Sequence, residues 1–308
     1  MMSDPFKLLG RPEHEIDPEA ICAPLAGQTI MVTGAAGTIG SALSAWLHEY
    51  HSGKTICCDR DESRLYLLGE QLAPLGAQTR LVLADVASEF CLEKIMEDYR
   101  PDLVIHAAAY KHVPMLENHS EAACANNVGG TRKTLDAARR YSPVCRFVLV
   151  STDKAVRPCN VMGQTKHKAE LITLAQRGTT VVRFGNVLGS SNSVVDIWLR
   201  QTERGEPISV TDPDMTRYFM TLREAAALVL SVAGDDGALG GICVPDMGEP
   251  IRMGDLASRF IAANGGSMAF TGPRPGEKQA ERLTNDDEHV LHDRGCYRVY
   301  VSRSEVCA

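Results

Sequence analysis

Thr29-Ile30-Met31-Val32-Thr33-Gly34-Ala35-Ala36-Gly37-Thr38-Ile39-Gly40 joins an apolar run to a G-x-x-G-x-x-G turn that opens a helix-like segment, Thr38–Tyr50. Gly34, Gly37 and Gly40 let the chain turn tightly, and they bring backbone N–H groups such as those of Thr38 and Ile39 against a pyrophosphate at the helix N-terminus. A glycine triplet alone is a weak signal. Here a strand precedes it, a helix follows it, and an acid, Asp59, stands about 20 residues on. Asp59 ends the second apolar run, KTICCD (54–59), where a carboxylate hydrogen-bonds an adenosine ribose diol and repels a 2′-phosphate. NAD is therefore the expected cofactor, and the neighbouring Arg60 keeps NADP as the alternative.

Outward from this turn, short apolar runs alternate with longer amphipathic stretches as far as Gly185. Strands are expected at 29–33, 54–59, 79–84, 102–107, 146–151 and 180–184. Helices are expected at Thr38–Tyr50, Ser63–Leu75, Glu89–Tyr99, Glu121–Tyr141 and Val161–Arg177. Apolar runs without alternation, separated by helices, imply a parallel sheet covered on both faces, a Rossmann-like doubly wound α/β domain. After Gly189 turn-rich segments take over, with helices expected near 194–204, 221–233 and 253–264. The reading is an N-terminal linker (1–27), a dinucleotide-binding domain (28–189) and a smaller substrate-binding lobe (190–308), part of which, GGICVPDMG, returns as an extra strand.

Composition narrows the function. The 308 residues carry a net charge of -7 with a pI near 5.7, which argues against a nucleic-acid surface. Ten cysteines are scattered without a C-x-x-C pair, so no metal site is expected and the thiols read as reduced and cytoplasmic. No segment approaches about 18 consecutive apolar residues and the N-terminus has no signal-peptide character, so a soluble protein without a membrane span is expected.

Further candidates follow from position in the series. Asp85-Val86 after the third strand and Ala107-Ala108-Ala109 after the fourth sit where an adenine edge and a nicotinamide ribose would pass, although small residues at a tight joint explain the alanines almost as well. At the end of the fifth strand Ser151-Thr152-Asp153-Lys154 presents a hydroxyl, a carboxylate and an ammonium together, at the edge where open α/β sheets bind ligands. Met162 and Lys166 lie four apart on one helix face, the spacing of a Tyr-x-x-x-Lys pair with methionine in the tyrosine's place.

Taken together, TGAAGTIGS, HAAAYKHVPMLE, NNVGGT, STDKAVRPCNVMGQTK, VRFGNVLGSS, VTDPDMTRYFMT, DMGEP and GPRPGEK resemble the nucleotide-sugar 4,6-dehydratases of bacterial polysaccharide biosynthesis, within the extended short-chain dehydrogenase superfamily. Met162 points to the subgroup in which methionine replaces tyrosine, associated with retention at C5. The resemblance implies oxidation at sugar C4, loss of water across C5 and C6, and hydride return to C6, with UDP-N-acetylglucosamine as the default substrate. It implies Lys154 as the C5 base, Asp153 as the acid, Thr152 against the C4 oxygen and Lys166 on the nicotinamide ribose. Lys111 and His112 are expected to hold the sugar or its diphosphate, and Asn127 resembles the asparagine that orders this site. Arg183 and Asn186 lie at the expected substrate edge, and Arg217 and Arg274 suit a diphosphate because guanidinium pairs bidentately with phosphate oxygens. Each arginine has an alternative as a structural ion-pair partner. Relatives often carry a membrane-spanning segment before a linker like LLGRPEHEID, so the chain reads as a stand-alone catalytic version; by analogy it is expected to be a homo-oligomer.

The pattern is departed from at Asn192-Ser193, at Gln279-Ala280 and after Leu283, all in the substrate lobe. Two other functions stay open. A nucleotide-sugar 4-epimerase shares the C4 oxidation but generally relies on the tyrosine missing at 162. A catalytically silent NAD(P)-binding regulatory protein would keep the fold without the chemistry.

Overall fold

A computed structural model of the chain describes residues 8–74 and 78–302. The six expected strands form at β1 (Thr29–Thr33), β2 (Lys54–Asp59), β3 (Thr79–Leu83), β4 (Leu103–His106), β5 (Arg146–Val150) and β6 (Thr179–Val182). They lie parallel in the order β6-β5-β4-β1-β2-β3. The order reverses between β1 and β4, so the loops leaving those two strands diverge and open a crevice above their carboxyl ends. Ile30, Met31 and Val32 of β1 have no exposure, which is why this strand reads as an unbroken apolar run.

Beyond β6 the chain makes the short strands β7 (Asn186–Val187), β8 (Ile208–Val210), β9 (Thr216–Arg217) and β10 (Phe219–Met220). Then β11 (Ile242–Pro245) returns to the sheet parallel to β6, within the GGICVPDMG segment. After β12 (Ile251–Arg252) and β13 (Met268–Phe270), a hairpin of β14 (Glu288–Asp293) and β15 (Tyr297–Ser302) completes the sheet. The hairpin's inner strand β15 pairs antiparallel with β11, giving nine strands in all. The segment after residue 189 is thus divided. The helix Leu222–Gly234 packs with Thr38–Tyr50 on the main core, and β11 and β15 extend it. Residues of 188–219 and 253–260 build a second core with Leu8 and Leu9 around Trp198 and Phe260, whose ring centroids are 5.5 Å apart.

Helix ends follow local chemistry. Glu62–Gln71 stops before Ala73-Pro74, because proline disfavours helix in the residue before it and supplies no N–H; the expected end at Leu75 lies outside the described residues. The long helix expected at Glu121–Tyr141 is three pieces: Ser120–Ala123, a π-helical turn at Cys124–Gly129, and Gly130–Tyr141. Among the described residues no helix is long and apolar enough to cross a membrane.

Candidate active site

The glycine turn is shaped by contacts that only glycine tolerates. Gly34 has φ +65°, and a Cβ there would stand 2.7 Å from Ala108 Cα; one on Gly40 would stand 2.0 Å from the Gly34 carbonyl oxygen. Gly37 is less confined, its nearest neighbour being Gly34 O at 3.1 Å, and it faces the cleft. It is also the N-cap of Thr38–Tyr50 and offers no side chain to the helix's first N–H groups, which stay available to an anion. Asp59 holds the turn in place: Ala36 N–H donates to Oδ2 (2.9 Å) and Asp61 N–H to Oδ1 (3.0 Å).

Around this turn runs a cleft of about 220 Å³ lined by Gly34, Gly37, Asp59, Val86 and Ala107–Ala109. Arg60 reaches across it from the end of β2 to the β4 side. Its guanidinium lies 4.5 Å over the Tyr110 ring, bonds Asn126 Oδ1 (3.4 Å) and sits 3.7 Å from Asp85. An uncapped helix N-terminus, a backbone cradle closed to any Cβ, an acid at the second strand's end and a small apolar wall together fit an adenosine diphosphate. They fit a 2′-phosphate poorly, since both arginines on the wall, Arg60 and Arg64, already face carboxylates.

This cleft continues into a second, of about 410 Å³, reaching Thr152, Lys154, Met162 and Lys166. Thr152 caps a short 3₁₀ turn, Asp153–Ala155, which aims these side chains. Asp153 Oδ1 accepts from both Thr152 Oγ1 and Lys154 Nζ, each at 2.9 Å, and Lys154 Nζ also donates to Asn186 Oδ1 (3.3 Å). Lys166 is buried and donates to the Val150 carbonyl (2.7 Å); desolvation lowers its pKa to about 8, against Glu170, which raises it. Beside it His106 shares a hydrogen bond with Thr33 (2.8 Å), and burial, then Lys166, push its pKa down to about 3, so the ring is neutral. The Met162 thioether packs with Leu116 and Ala123.

A third cavity, about 310 Å³, shares Lys111, His112, Lys154 and Asn186 with the second. Arg217 and Arg274 stand on its wall, Arg217 buried and Arg274 exposed. Between the two cavities the loop at 189–193 forms a strap. Ser191 N–H donates to Thr38 Oγ1 (3.2 Å), and Lys111 Nζ donates to Ser191 O (2.9 Å). Lys111 as a whole is exposed, but its ammonium turns inward, and desolvation with Arg64 nearby lowers its pKa; His112 is lowered by desolvation and by Lys111.

The family described as "Polysaccharide biosynthesis protein" matches residues 30–301. The chain belongs to that family. The capsular polysaccharide biosynthesis protein CapD of Staphylococcus aureus is 40% identical over 304 residues, 94% of this chain and 50% of CapD. The chain spans about half the length of the curated relatives it matches at this identity. A protein named UDP-glucose 4-epimerase from Rickettsia akari is 32% identical over 290 residues, covering 88% of this chain and 82% of the relative. The fold is shared with the crystal structure of DesIV, a dTDP-glucose 4,6-dehydratase from Streptomyces venezuelae with NAD and TYD bound. There the TM-score is 0.73 at 19% identity, over 83% of this chain and 88% of that one.

Within this polysaccharide-biosynthesis chain three expected residues stand back from the cavities described above. Arg183 lines none of these cavities. It is 1% exposed and clamped between Glu170 (2.7 and 3.1 Å) and Glu288 (2.9 and 3.1 Å). Burial pulls its pKa down, but the two carboxylates outweigh this and hold it above the usual range. Asn127 is buried in the π turn, bonding Tyr110 N (2.8 Å), Tyr110 O (3.1 Å) and Thr165 (3.0 Å); it fixes the loop after β4 and lines none of the three cavities described above. Asp153 has no exposure and stands behind the wall, with Oδ2 unbonded, so Thr152 and Lys154 are what the cleft meets. Sequence reasoning passed over Tyr110, Asn126 and Arg64 on the dinucleotide side and Asn160 and Glu281 on the other. Of these only Tyr110 had a signal, an aromatic directly after Ala107–Ala109.

Proposed function

We propose that the chain is an NAD-dependent nucleotide-sugar 4,6-dehydratase that acts on a UDP-hexose, with UDP-N-acetylglucosamine the first candidate. One observation carries the reading: the Lys154 ammonium lies on the wall common to the dinucleotide cleft and the arginine-lined cavity, and a thioether, Met162, stands where a phenolic base would be. When bound, NAD supplies a two-electron oxidation at sugar C4 and returns the same electrons at C6. Gly37, Thr38 and Asp59 would hold its adenosine diphosphate half, and Lys166 would serve its nicotinamide ribose.

The remaining steps belong to the protein. Passing a proton from Lys154 to Asp153 across their 2.9 Å bond yields a neutral amine and a neutral acid, the pair an elimination requires. The C4 hydroxyl gives up its proton to solvent as C4 is oxidised. The amine takes the C5 proton, made acidic by the C4 ketone. The C6–O bond breaks and the hydroxyl leaves as water with a proton from Asp153. Because Asp153 is behind the wall, that proton passes through the Thr152 hydroxyl, which is bonded to the same carboxylate oxygen and faces the cleft. Lys154 returns its proton to C5 when the electrons come back at C6, and a proton from solvent then restores the Lys154–Asp153 pair. Arg217 and Arg274 hold the diphosphate, and Asn186 aims Lys154.

The 32% identity to a protein named UDP-glucose 4-epimerase supports a second reading, return of hydride to the opposite face of C4. Mass spectrometry of UDP-N-acetylglucosamine incubated with the protein and NAD separates the two. A product lighter by one water is expected; an isomer of unchanged mass would establish the epimerase instead. Lys154→Ala is expected to abolish water loss while NADH binding stays intact, and a variant with full turnover would remove Lys154 from the mechanism.

A further inference from the structure

Glu281 lines the arginine-lined cavity although its side chain is only 4% exposed. Its Oε2 lies 3.3 Å from Lys278 Nζ yet accepts no hydrogen bond from the described residues. Lys278 Nζ donates to the Val156 carbonyl at 2.7 Å, and its position beside Oε2 balances the charge of Glu281 without an aligned hydrogen bond to it. An ionised carboxylate oxygen kept from water without a donor is costly, and a ligand that brings one recovers that cost. The other acid on this wall, Glu277, is already occupied by the Arg274 N–H at 3.1 Å.

We infer that Glu281 is a specificity residue for the hexose, accepting a hydrogen bond from a neutral donor on the sugar, a hydroxyl or an amide N–H. This rests on the nucleotide-sugar reading above. Its place in the fold selects the sugar over the rest of the ligand. Asn160 Nδ2 donates to Gly276 O (3.0 Å) and Lys278 to Val156 O, so the 276–281 segment is stitched to the stretch running from Lys154 to Asn160. The carbonyl of Gln279, two residues before Glu281, accepts from Thr216 N–H (3.0 Å) and Arg217 Nη1 (3.3 Å). Glu281 therefore stands between the catalytic stretch and the buried arginine, where the hexose of a bound ligand would lie. A diphosphate is repelled by a carboxylate and is served by the arginines, and a hexuronic acid presenting its carboxylate here is excluded on the same ground.

The test uses the full chain loaded with NAD, and isothermal titration with a panel of UDP- and TDP-hexoses and with UDP and TDP alone. The wild type is expected to bind at least one nucleotide sugar more tightly than its nucleoside diphosphate. In Glu281→Met that sugar increment is expected to shrink by about tenfold or more, the worth of a hydrogen bond to a charged group, while affinity for the nucleotide stays within about twofold. Glu281→Gln keeps an acceptor of the same size and is expected to retain most of the increment. If both variants lose nucleotide and sugar affinity together with a lower melting temperature, Glu281 is a structural partner of Lys278 and the inference falls. It falls equally if Met leaves the increment unchanged, or if the wild type gains nothing from any sugar. Whether the preferred sugar loses water is read separately by mass, so a failed dehydratase reading is distinguishable from a failed assignment of Glu281.

Discussion

Replacing Arg183 by methionine keeps most of the side-chain volume and removes a guanidinium that neutralises two carboxylates, Glu170 and Glu288, whose side chains are 2% and 4% exposed. Removing one partner from a buried ionic cluster costs about 3–5 kcal/mol, because the charges left behind are neither paired nor hydrated. At about 2.1 cal/mol/K of unfolding entropy per residue, a chain of this length loses roughly 5–8 °C of melting temperature for that energy. Differential scanning fluorimetry is the assay, with chemical denaturation as a check. The triple change Arg183→Met, Glu170→Leu, Glu288→Leu removes the desolvation burden with the charges, so it is expected to recover most of the loss. A single variant that melts within about 2 °C of wild type, or a triple variant less stable than the single one, would refute the description of this cluster as a closed ionic unit.

Gly40→Ala puts a methyl 2.0 Å from a backbone oxygen that cannot move aside, so it is expected to cost about 1–3 kcal/mol or more and to abolish NADH binding by fluorescence titration. Gly37→Ala meets only one atom, at 3.1 Å, but faces the phosphate side; a nearly normal melting temperature with weakened NADH binding is expected, and normal binding would free the turn of its assigned role. Asp59→Ser is expected to lower the preference for NADH over NADPH by about tenfold, as judged by the two dissociation constants; an unchanged ratio would take Asp59 out of cofactor selection. Lys166 titrates near 8 in the folded chain against an ordinary 10.5, so the unfolded chain binds more protons between those values and stability rises with pH across the window. Lys166→Met is expected to flatten that rise, by at most about 1.4 kcal/mol per pH unit, in denaturation series from pH 8 to 10.

The central sheet was legible because its strands are buried on both faces and its glycine turn is a local pattern: Gly34, Gly37, Gly40 and Asp59 stand within about 25 residues. The four-residue step from Met162 to Lys166 was legible for the same reason. What escaped was non-local. Arg183 ends a strand where substrate-binding arginines also occur, and its partner Glu288 is 105 positions further on. β14 shows no clean alternation, since Val290 and Leu291 are both about half exposed at the sheet edge. The π turn at Cys124–Gly129 adds a residue without disturbing the apolar period enough to be noticed, and so hides that Asn127 points at Tyr110. The burial of Asp153 depends on the Phe184 carbonyl, which takes its backbone N–H and draws the turn inward.

The inward position of β15 imposes a timetable on synthesis. Cys243 of β11 has no exposure in the finished chain, and its neighbour across the ladder is Val299. At about 5–20 residues per second, a ribosome takes roughly 3–11 s to bring the second after the first. During that interval the edge of β11 has no partner, and an unpaired apolar strand edge is a site where chains join wrongly. Crowded expression, with many chains waiting at the same stage, is where this protein is most exposed to aggregation, before any of its catalytic groups has met a ligand.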